Sequence, residues 1–290
     1  ILTLHTVADS LGTSDKLWNG FKDTLLLTLH RKAQSLLGGT SEEPAGTEKV
    51  RETLIAEVRR LMPGSFSEDE LQAHFANLPA RYFEVHSVRQ IFTDLTLSHR
   101  FMRLQLDLNR NPLAPTVIWH NEPDRGYTMV SVCTWDRTGL FSKLAGAFTA
   151  AGLNILSAQI FTRNDGIVLD TFFVTDAHTG LLANKAEREA FEEILEKSLT
   201  EGVEFTKLIR KRGAANPMYQ AVEGETIPTS VVVDERSSAD YSVIDIQAED
   251  RPGLLYAVSH ELAELGLNIA LAKICTEKGA AMDTFFVTES

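Results

Sequence analysis

The chain contains 290 residues, 43% of them hydrophobic, and carries a net charge of −12 with a pI near 5.2. This length and composition predict about two soluble, globular domains. The acidic charge argues against a nucleic-acid or anionic-membrane surface, because such partners require clustered Lys and Arg.

The lack of long apolar runs and the small number of cysteines predict a cytoplasmic protein. No stretch approaches the roughly 18 apolar residues of a membrane span, and no signal peptide is recognisable. The two cysteines, Cys133 and Cys275, fall on non-equivalent predicted strands. We therefore expect neither a disulfide framework nor a Cys-based zinc site, and a reducing cytoplasm fits this pattern.

The first part of the chain is predicted to be helical. Residues 1–37 form helical segments that break at Gly12–Ser14, and a polar linker follows at 38–48. A charged amphipathic helix is expected at 48–62, where apolar residues recur at helical spacing and Pro63 stops the pattern.

Residues 38–110 are predicted to form a helical connector. Ser67 caps a short helix, and Glu70 completes a capping box three residues later. A further helix is expected at 81–99. The alternation of apolar residues at 103–107 predicts the beginning of a strand.

The remainder of the chain is a duplicated sequence. The motif Trp-Asp-Arg-Thr-Gly-Leu-Phe at Trp135–Phe141 returns as Glu-Asp-Arg-Pro-Gly-Leu-Leu at Glu249–Leu255, each time between a strand and an amphipathic helix. The other matched segments are Tyr127–Val132 with Tyr241–Ile246, Gly152–Ile155 with Gly266–Ile269, and Asp170–Thr175 with Asp283–Thr288. This agreement indicates a duplicated domain.

The first repeat, residues 115–211, is predicted to have the order β-α-β-β-α-β. Asn164–Gly166 forms a hairpin turn between its second and third strands. Its second helix is expected at 184–200 and its fourth strand at 203–209. This order is that of a split, ferredoxin-like domain.

The second repeat, residues 228–290, follows a linker at 212–227 and supplies only β-α-β-β. We expect its sheet to be completed by a strand from Thr229–Asp234, by the first repeat or by a second chain. The chain begins at Ile1 within an apolar pattern and stops at Ser290 after a strand, which indicates a fragment. The predicted fold class is α+β, with an all-helical N-terminal part and two ferredoxin-like domains, the second truncated.

Both repeats resemble ACT domains. The resemblance covers residues 115–290 and depends on the Asp-Arg-x-Gly-Leu turn, the glycine that ends the first helix, the Leu-Asn-Ile strand start and the Asp-Thr-Phe-Phe-Val strand. ACT domains are small regulatory modules that usually bind amino acids where two of them meet. The resemblance therefore implies an amino-acid effector, and it is compatible with a homodimer through the ACT domains.

The N-terminal part is similar to one family of enzymes. Leu4–Asp9 followed by Trp18–Lys22 resembles the end of the HD-type metal phosphohydrolase domain in bifunctional uridylyltransferase/uridylyl-removing enzymes, and Leu78–Phe83 resembles their connector. That family combines a nucleotidyltransferase, an HD domain and two ACT domains. Residues 1–37 would be the end of the HD domain, and the preceding parts would be missing.

The resemblance implies a function in nitrogen regulation. In that family, low glutamine favours transfer of UMP from UTP to a tyrosine of protein PII, and high glutamine favours its hydrolytic removal. The ACT pair is the expected glutamine sensor. A divalent metal, Mg or Mn, is expected for the full-length enzyme, whereas this chain is expected to need no cofactor and to be inactive.

The two turns supply most of the candidate ligand-binding residues. They are Asp136, Arg137, Gly139 and Leu140 in the first repeat and Asp250, Arg251, Gly253 and Leu254 in the second. A glycine lets a ligand approach the backbone, and free helix N–H groups attract a carboxylate. Equally, the turn could need glycine for positive φ, with the aspartate as an N-terminal cap. The family resemblance favours the ligand site, and the first repeat is favoured if only one site forms.

The other candidates open the second strand of each repeat. They are Asn154 and Ile155, and Asn268 and Ile269. An Asn amide both donates and accepts, so it could pair with a glutamine side chain. It could also cap the preceding helix, and this structural interpretation is slightly favoured.

Asp9 is the candidate metal ligand. By resemblance it is the last carboxylate ligand of the HD metal site, whose other His and Asp ligands would lie upstream of Ile1. A lone Asp cannot hold a catalytic metal. Without the resemblance, Asp9 would be an ordinary residue at a helix end or in a loop.

Two functions remain open from the sequence. The first is the glutamine-sensing regulatory region of a PII uridylyltransferase/uridylyl-removing enzyme. The second is an ACT-repeat module of a non-enzymatic protein that binds an amino acid or dimerises by sheet pairing. An HD–ACT enzyme of alarmone signalling is less favoured, because other domains would then occupy residues 48–110.

Overall fold

The computed structural model describes most of the chain. The described residues are 2–13, 26, 29–30, 33, 44–64, 66–213, 227–235, 238, 241–274, 276–277 and 280–289. Most of the helix predicted after Ser14, most of the linker predicted at 212–227, and Cys275 therefore lie outside the described residues.

The described N-terminal part is helical, as predicted, with different boundaries. Its helices are α1 (Leu2–Thr13), α2 (Pro44–Leu61), α3 (Glu68–Ala76), α4 (Ala80–Val85) and α5 (Val88–Leu104). α2 begins inside the predicted linker at 38–48, because Pro44 fits a first helical turn, where no N–H is needed. The helix predicted at 81–99 is two helices, because Ser87 and Gln90 form a capping box that starts α5.

The strand predicted at 103–107 is wrong. α5 continues to Leu104, and a turn follows in which Leu106 N donates to Arg103 O at 3.2 Å. Leu106 and Leu108 are 82% and 100% exposed, so the alternation marks no buried face.

The first repeat forms a four-stranded antiparallel part of a sheet. Its elements are β1 (Thr116–Glu122), a 3-10 turn (Pro123–Arg125), β2 (Tyr127–Trp135), α6 (Leu140–Ala151), β3 (Leu153–Gln159), β4 (Ile167–Asp176), α7 (Lys185–Thr200) and α8 (Phe205–Gly213). Val130 and Val132 of β2 pack under the repeat's helices and Cys133 packs on the opposite face, as their alternation predicts.

The fourth strand predicted at 203–209 is wrong, because most of this segment belongs to α8. Phe205 and Ile209 are buried four positions apart, which is the spacing of one helical face. β1 pairs with β2 and occupies the sheet edge that the missing strand would have taken. The strand order remains ferredoxin-like, but the edge strand comes from the N-terminal side.

The second repeat has the same strand arrangement. Its elements are β5 (Ser230–Asp234), β6 (Ser242–Glu249), α9 (Leu254–Glu264), β7 (Leu267–Lys273), β8 (Thr276–Glu277) and β9 (Ala280–Glu289). β5 pairs with β6, placing Val231 opposite Ile246. Of the three ways considered to complete this sheet, the strand near Thr229–Asp234 supplies one edge and the first repeat the other.

β3 and β7 join the two repeats into one antiparallel sheet. The strand order is β1-β2-β4-β3-β7-β9-β6-β5, and β8 pairs with β9. Ala158 pairs with Ala272 at the join, and these residues are equivalent in the duplication. An approximate two-fold axis therefore passes between them. The predicted α+β class with two ferredoxin-like domains is confirmed.

Helices cover both faces of the sheet in the first repeat. On one face, the helices of the two repeats share a core that includes the fully buried Phe148, Phe172 and Phe285. On the other face, the connector helices α2 to α5 pack on the first repeat, where Phe161 and Leu169 join their core. The first repeat is thus held between two helical layers.

Candidate functional site

A glycine forms the turn before the first helix of each repeat. Gly139 and Gly253 are the N-cap residues of α6 and α9, with φ of 72° and 81°. These left-handed values favour glycine, as the sequence predicts. Glycine, rather than Asp136 or Asp250, holds the N-cap position, so the interpretation of these aspartates as N-cap residues is wrong.

A cavity of about 250 Å³ lies between the two repeats. Six predicted residues line it, namely Asp136, Arg137, Gly139 and Leu140 from the first repeat and Asn268 and Ile269 from the second. Drug-sized ligands usually occupy roughly 300–1,000 Å³. The smaller volume suits a ligand with the dimensions of one amino acid.

The other six predicted residues lie outside this cavity. They are Asn154, Ile155, Asp250, Arg251, Gly253 and Leu254. Ile155 and Leu254 are core side chains, 8% and 9% exposed. Asn154 pairs with Thr175 between β3 and β4, and Asn268 pairs with Thr288 between β7 and β9, but only Asn268 lines the cavity. The structure therefore brings the Asp136–Leu140 turn of the first repeat together with Asn268 and Ile269 of the second. The equivalent turn of the second repeat and Asn154 of the first do not meet in this cavity.

α8 makes the two turns different. A Cβ at Gly253 would lie 2.7 Å from Cγ2 of Ile209, which belongs to α8. A Cβ at Gly139 would meet its nearest neighbour, Ser142 Oγ, at 3.5 Å, which is ordinary contact. The second turn is thus packed against α8, whereas the first turn faces the cavity.

Arg137 contributes a cation to the cavity wall. Its Nη1 donates to Leu199 O at 3.0 Å and its Nε donates to Trp135 O at 3.4 Å. Its Nη2 is buried without a hydrogen-bond partner among the described residues. Burial lowers the pKa of Arg137, and Asp136 opposes this effect. An anionic ligand group beside Arg137 would therefore be favoured.

Asp170 is a cavity residue that the sequence analysis missed. Its side chain is buried, and its Oδ1 accepts a hydrogen bond from Phe161 N at 3.2 Å. Burial raises the pKa of Asp170 well above its usual range, and the nearby Asp136 adds to the rise. A carboxylate inside an otherwise apolar strand, repeated at Asp283, is the signal that could have identified it.

The β3–β4 hairpin connects the cavity to the connector helices. Ile160, Thr162, Val168 and Asp170 line the cavity, and Phe161, Ile167 and Leu169 join the connector core. Arg163 is buried between the two parts, and its Nη1 lies 2.9 Å from His74 Nδ1 and 3.0 Å from Ser98 Oγ. Burial, with a contribution from Arg163, lowers the pKa of His74 to about 3. The neutral ring can therefore accept the Arg163 hydrogen bond.

The described residues provide neither a metal cluster nor a membrane span. Asp9 is exposed on α1, and no group of three or more His, Cys, Asp or Glu in the described chain could hold a metal ion. The metal role of Asp9 therefore stays a prediction. No helix within the described ranges is both long and apolar enough to cross a membrane.

Comparison with known proteins first identifies the class of the repeats. The ACT domain family matches residues 128–192 and 242–290. Both repeats are therefore ACT domains, as their turn and strand motifs predict.

The chain is also similar over its full length to bifunctional uridylyltransferase/uridylyl-removing enzymes. It is 30% identical to the enzyme of Gluconobacter oxydans over 292 residues, 30% to that of Rhodospirillum rubrum over 295, and 32% to that of Bradyrhizobium sp. strain BTAi1 over 295. Each match covers 100% of this chain and 30% of the relative. The family resemblance is confirmed, and the chain spans about 30% of its relatives' length. No solved structure matches the chain significantly.

Proposed function

We propose that this chain is the regulatory region of a bifunctional uridylyltransferase/uridylyl-removing enzyme and senses glutamine between its two ACT domains. The observation that carries the proposal is the cavity where the Asp136–Leu140 turn meets Asn268. Glutamine is a zwitterion with a side-chain amide. Arg137 suits its carboxylate, and the Asn268 amide can both donate to and accept from its side chain.

In the full-length enzyme, glutamine would shift the balance between uridylylation and deuridylylation of protein PII. Such a shift requires glutamine to bind two conformations with different affinities. The β3–β4 hairpin supports this proposal because it lines the cavity and holds His74 and Ser98 through Arg163. A divalent metal, Mg or Mn, would serve the catalytic part, and the cytoplasm is the proposed location.

Calorimetric titration of the chain with glutamine tests this proposal, with alanine as the control ligand. Asn268→Ala should weaken glutamine binding about tenfold or more, because a hydrogen-bonded amide contact is lost. Asn154→Ala is the equivalent change in the other repeat, outside the cavity, and should leave the affinity unchanged. Equal losses in both variants, or no glutamine binding by the folded wild-type chain, would contradict the proposal.

A second candidate function is a module that dimerises by sheet pairing. It is favoured by the edge strand β5, where Val231, Val232 and Val233 are 59%, 56% and 59% exposed. An apolar edge strand is a template for pairing with another chain. Sedimentation should then show a wild-type dimer that is lost in Val232→Lys. This function would be favoured over glutamine sensing if the wild-type chain also binds no glutamine in the calorimetric titration.

A further inference from the structure

The carboxyl group of Asp170 reaches the cavity from within the sheet. Asp170 lies opposite Val132 in the β2–β4 ladder and is 2% exposed. Its Oδ1 accepts the hydrogen bond from Phe161 N. Among the described residues, no Lys or Arg forms an ion pair with it. The cavity therefore contains a buried acid whose electrostatic complement is a cation.

The charged and titratable groups around Asp170 do not supply that cation. Asp136 from the turn and Asp94 from α5 both oppose its ionisation, in addition to burial, and the neutral thiol of Cys133 lies on the neighbouring strand. Arg137 lines the same cavity but donates to backbone carbonyl groups. A buried carboxylate with no cationic partner is unfavourable, so burial, with Asp136 and Asp94, raises the pKa of Asp170 and favours its protonated form in the ligand-free cavity.

We propose that Asp170 selects for the ammonium group of the amino-acid effector by forming an ion pair with it in the cavity. This inference rests on the proposed function. The effector carboxylate lies toward Arg137 at the turn, and its ammonium group lies toward Asp170 in the sheet. A charge-assisted hydrogen bond of this kind is stronger than a neutral one. The two charges fix the orientation of the zwitterion, which leaves its side chain for Asn268.

Formation of this ion pair changes the protonation of the cavity. The Asp170 O–H bond breaks, its proton leaves to solvent, and an ammonium N–H donates to the resulting carboxylate. Glutamine binding should therefore release up to one proton per chain. Calorimetry at one pH, in buffers of different ionisation enthalpy, measures this number because the released proton is taken up by the buffer.

Asp170→Asn tests the inference while preserving the hairpin. The Asn side chain keeps an oxygen that can accept from Phe161 N, but it cannot ionise. Glutamine binding should weaken about tenfold to a hundredfold, and proton release should disappear. The thermal unfolding temperature should stay near that of the wild type. Asp283→Asn, the equivalent change in the second repeat and outside the cavity, should alter neither binding nor proton release.

Glutaramic acid, which is glutamine without its amino group, provides an independent test of ammonium recognition. The wild-type chain should strongly prefer glutamine to glutaramic acid, and Asp170→Asn should lose most of this preference. If the variant keeps the wild-type preference or still releases a proton, Asp170 does not recognise the ammonium group, although the proposed function stands. If the folded wild-type chain binds no glutamine, both the proposed function and this inference are wrong.

Discussion

The buried polar residues Asp170 and Arg163 lie seven positions apart and serve opposite sides of the β3–β4 hairpin. Asp170 lines the cavity, whereas Arg163 reaches the connector helices. A buried guanidinium is stable only when its N–H groups find acceptors. Arg163 finds them at His74, at Ser98 and at Asp165, whose Oδ1 accepts from Nε at 3.0 Å. His74 must remain neutral to accept, so this contact depends on pH.

The free energy of unfolding should therefore vary with pH through His74. Its pKa falls from 6.5 to about 3 on folding, mainly through burial, so between these values the unfolded chain binds a proton that the folded chain does not. This contribution to stability is present above pH 6.5 and is lost as the pH falls toward 3, by about 1.4 kcal/mol per pH unit. Urea denaturation of His74→Gln should show a slope smaller by this amount.

Two comparisons make the His74 measurement specific. Ser98→Ala removes a neutral partner of the same Arg163 nitrogen, so it should lower stability without changing the slope. Asp94 acts in the opposite direction, because burial raises its pKa from 3.8 to about 7 and the folded chain then retains a proton that the unfolded chain loses. The contribution of His74 is therefore measured by the difference in the pH slope of the free energy of unfolding between the wild type and His74→Gln, and not by the total slope. An unchanged slope in His74→Gln would contradict the assignment.

Among the elements, α8 contacts both repeats. It packs Phe205 against α6, where a Cβ at Gly146 would lie 2.6 Å from Phe205 Cδ1. One helical turn later it packs Ile209 against Gly253. The same short helix thus packs against α6 of the first repeat and against the Gly253 turn of the second. Two turns with nearly the same sequence acquire different surroundings.

The hairpin element should depend on Arg163 for its attachment to the connector. Arg163→Met should lower the free energy of unfolding by about 3 kcal/mol, because buried polar partners lose their hydrogen bonds. Amide hydrogen exchange should also become faster in α3 and α5. Arg89→Met removes an exposed arginine of α5 that contacts His120 and should change stability by less than about 0.5 kcal/mol. Equal effects of the two substitutions would show that the buried contact has no special role.

Across the entire chain, patterns of adjacent residues predict most helices and strands. The cavity, in contrast, depends on pairing between residues that are far apart in the sequence. The duplication and the turn glycines could be predicted because each depends on adjacent residues. The segment 203–209 could not, because Phe205 and Ile209 fit both alternating and helical spacing, and the position of β1 decides between them. Six of the twelve candidate residues line the cavity, whereas Asp170 was missed. The meeting of the first turn with Asn268 depends on the Ala158–Ala272 pair, which no local pattern reveals.

The asymmetry of the chain predicts one glutamine molecule per chain. Calorimetric stoichiometry should be near one, because α8 packs against the second turn while the first faces the cavity. Arg137→Gln should weaken binding by about tenfold, through loss of a charged partner for the carboxylate. Arg251→Gln, the equivalent and exposed position, should bind like the wild type. Two equal sites per chain would contradict this arrangement.

The join between the repeats has a mechanical consequence. In the described chain, β3 and β7 are registered through the pair Ala158–Ala272 alone, whereas the β2–β4 ladder runs along nearly the full length of both strands. This join is therefore the shortest ladder between neighbouring strands of the described sheet, and residues of both repeats line the cavity beside it. Under the proposed function, a ligand that contacts both repeats in the cavity would set the angle between the two halves of the sheet. Because Arg163 joins the first half to α3 and α5, a change in that angle would move the connector relative to the second repeat.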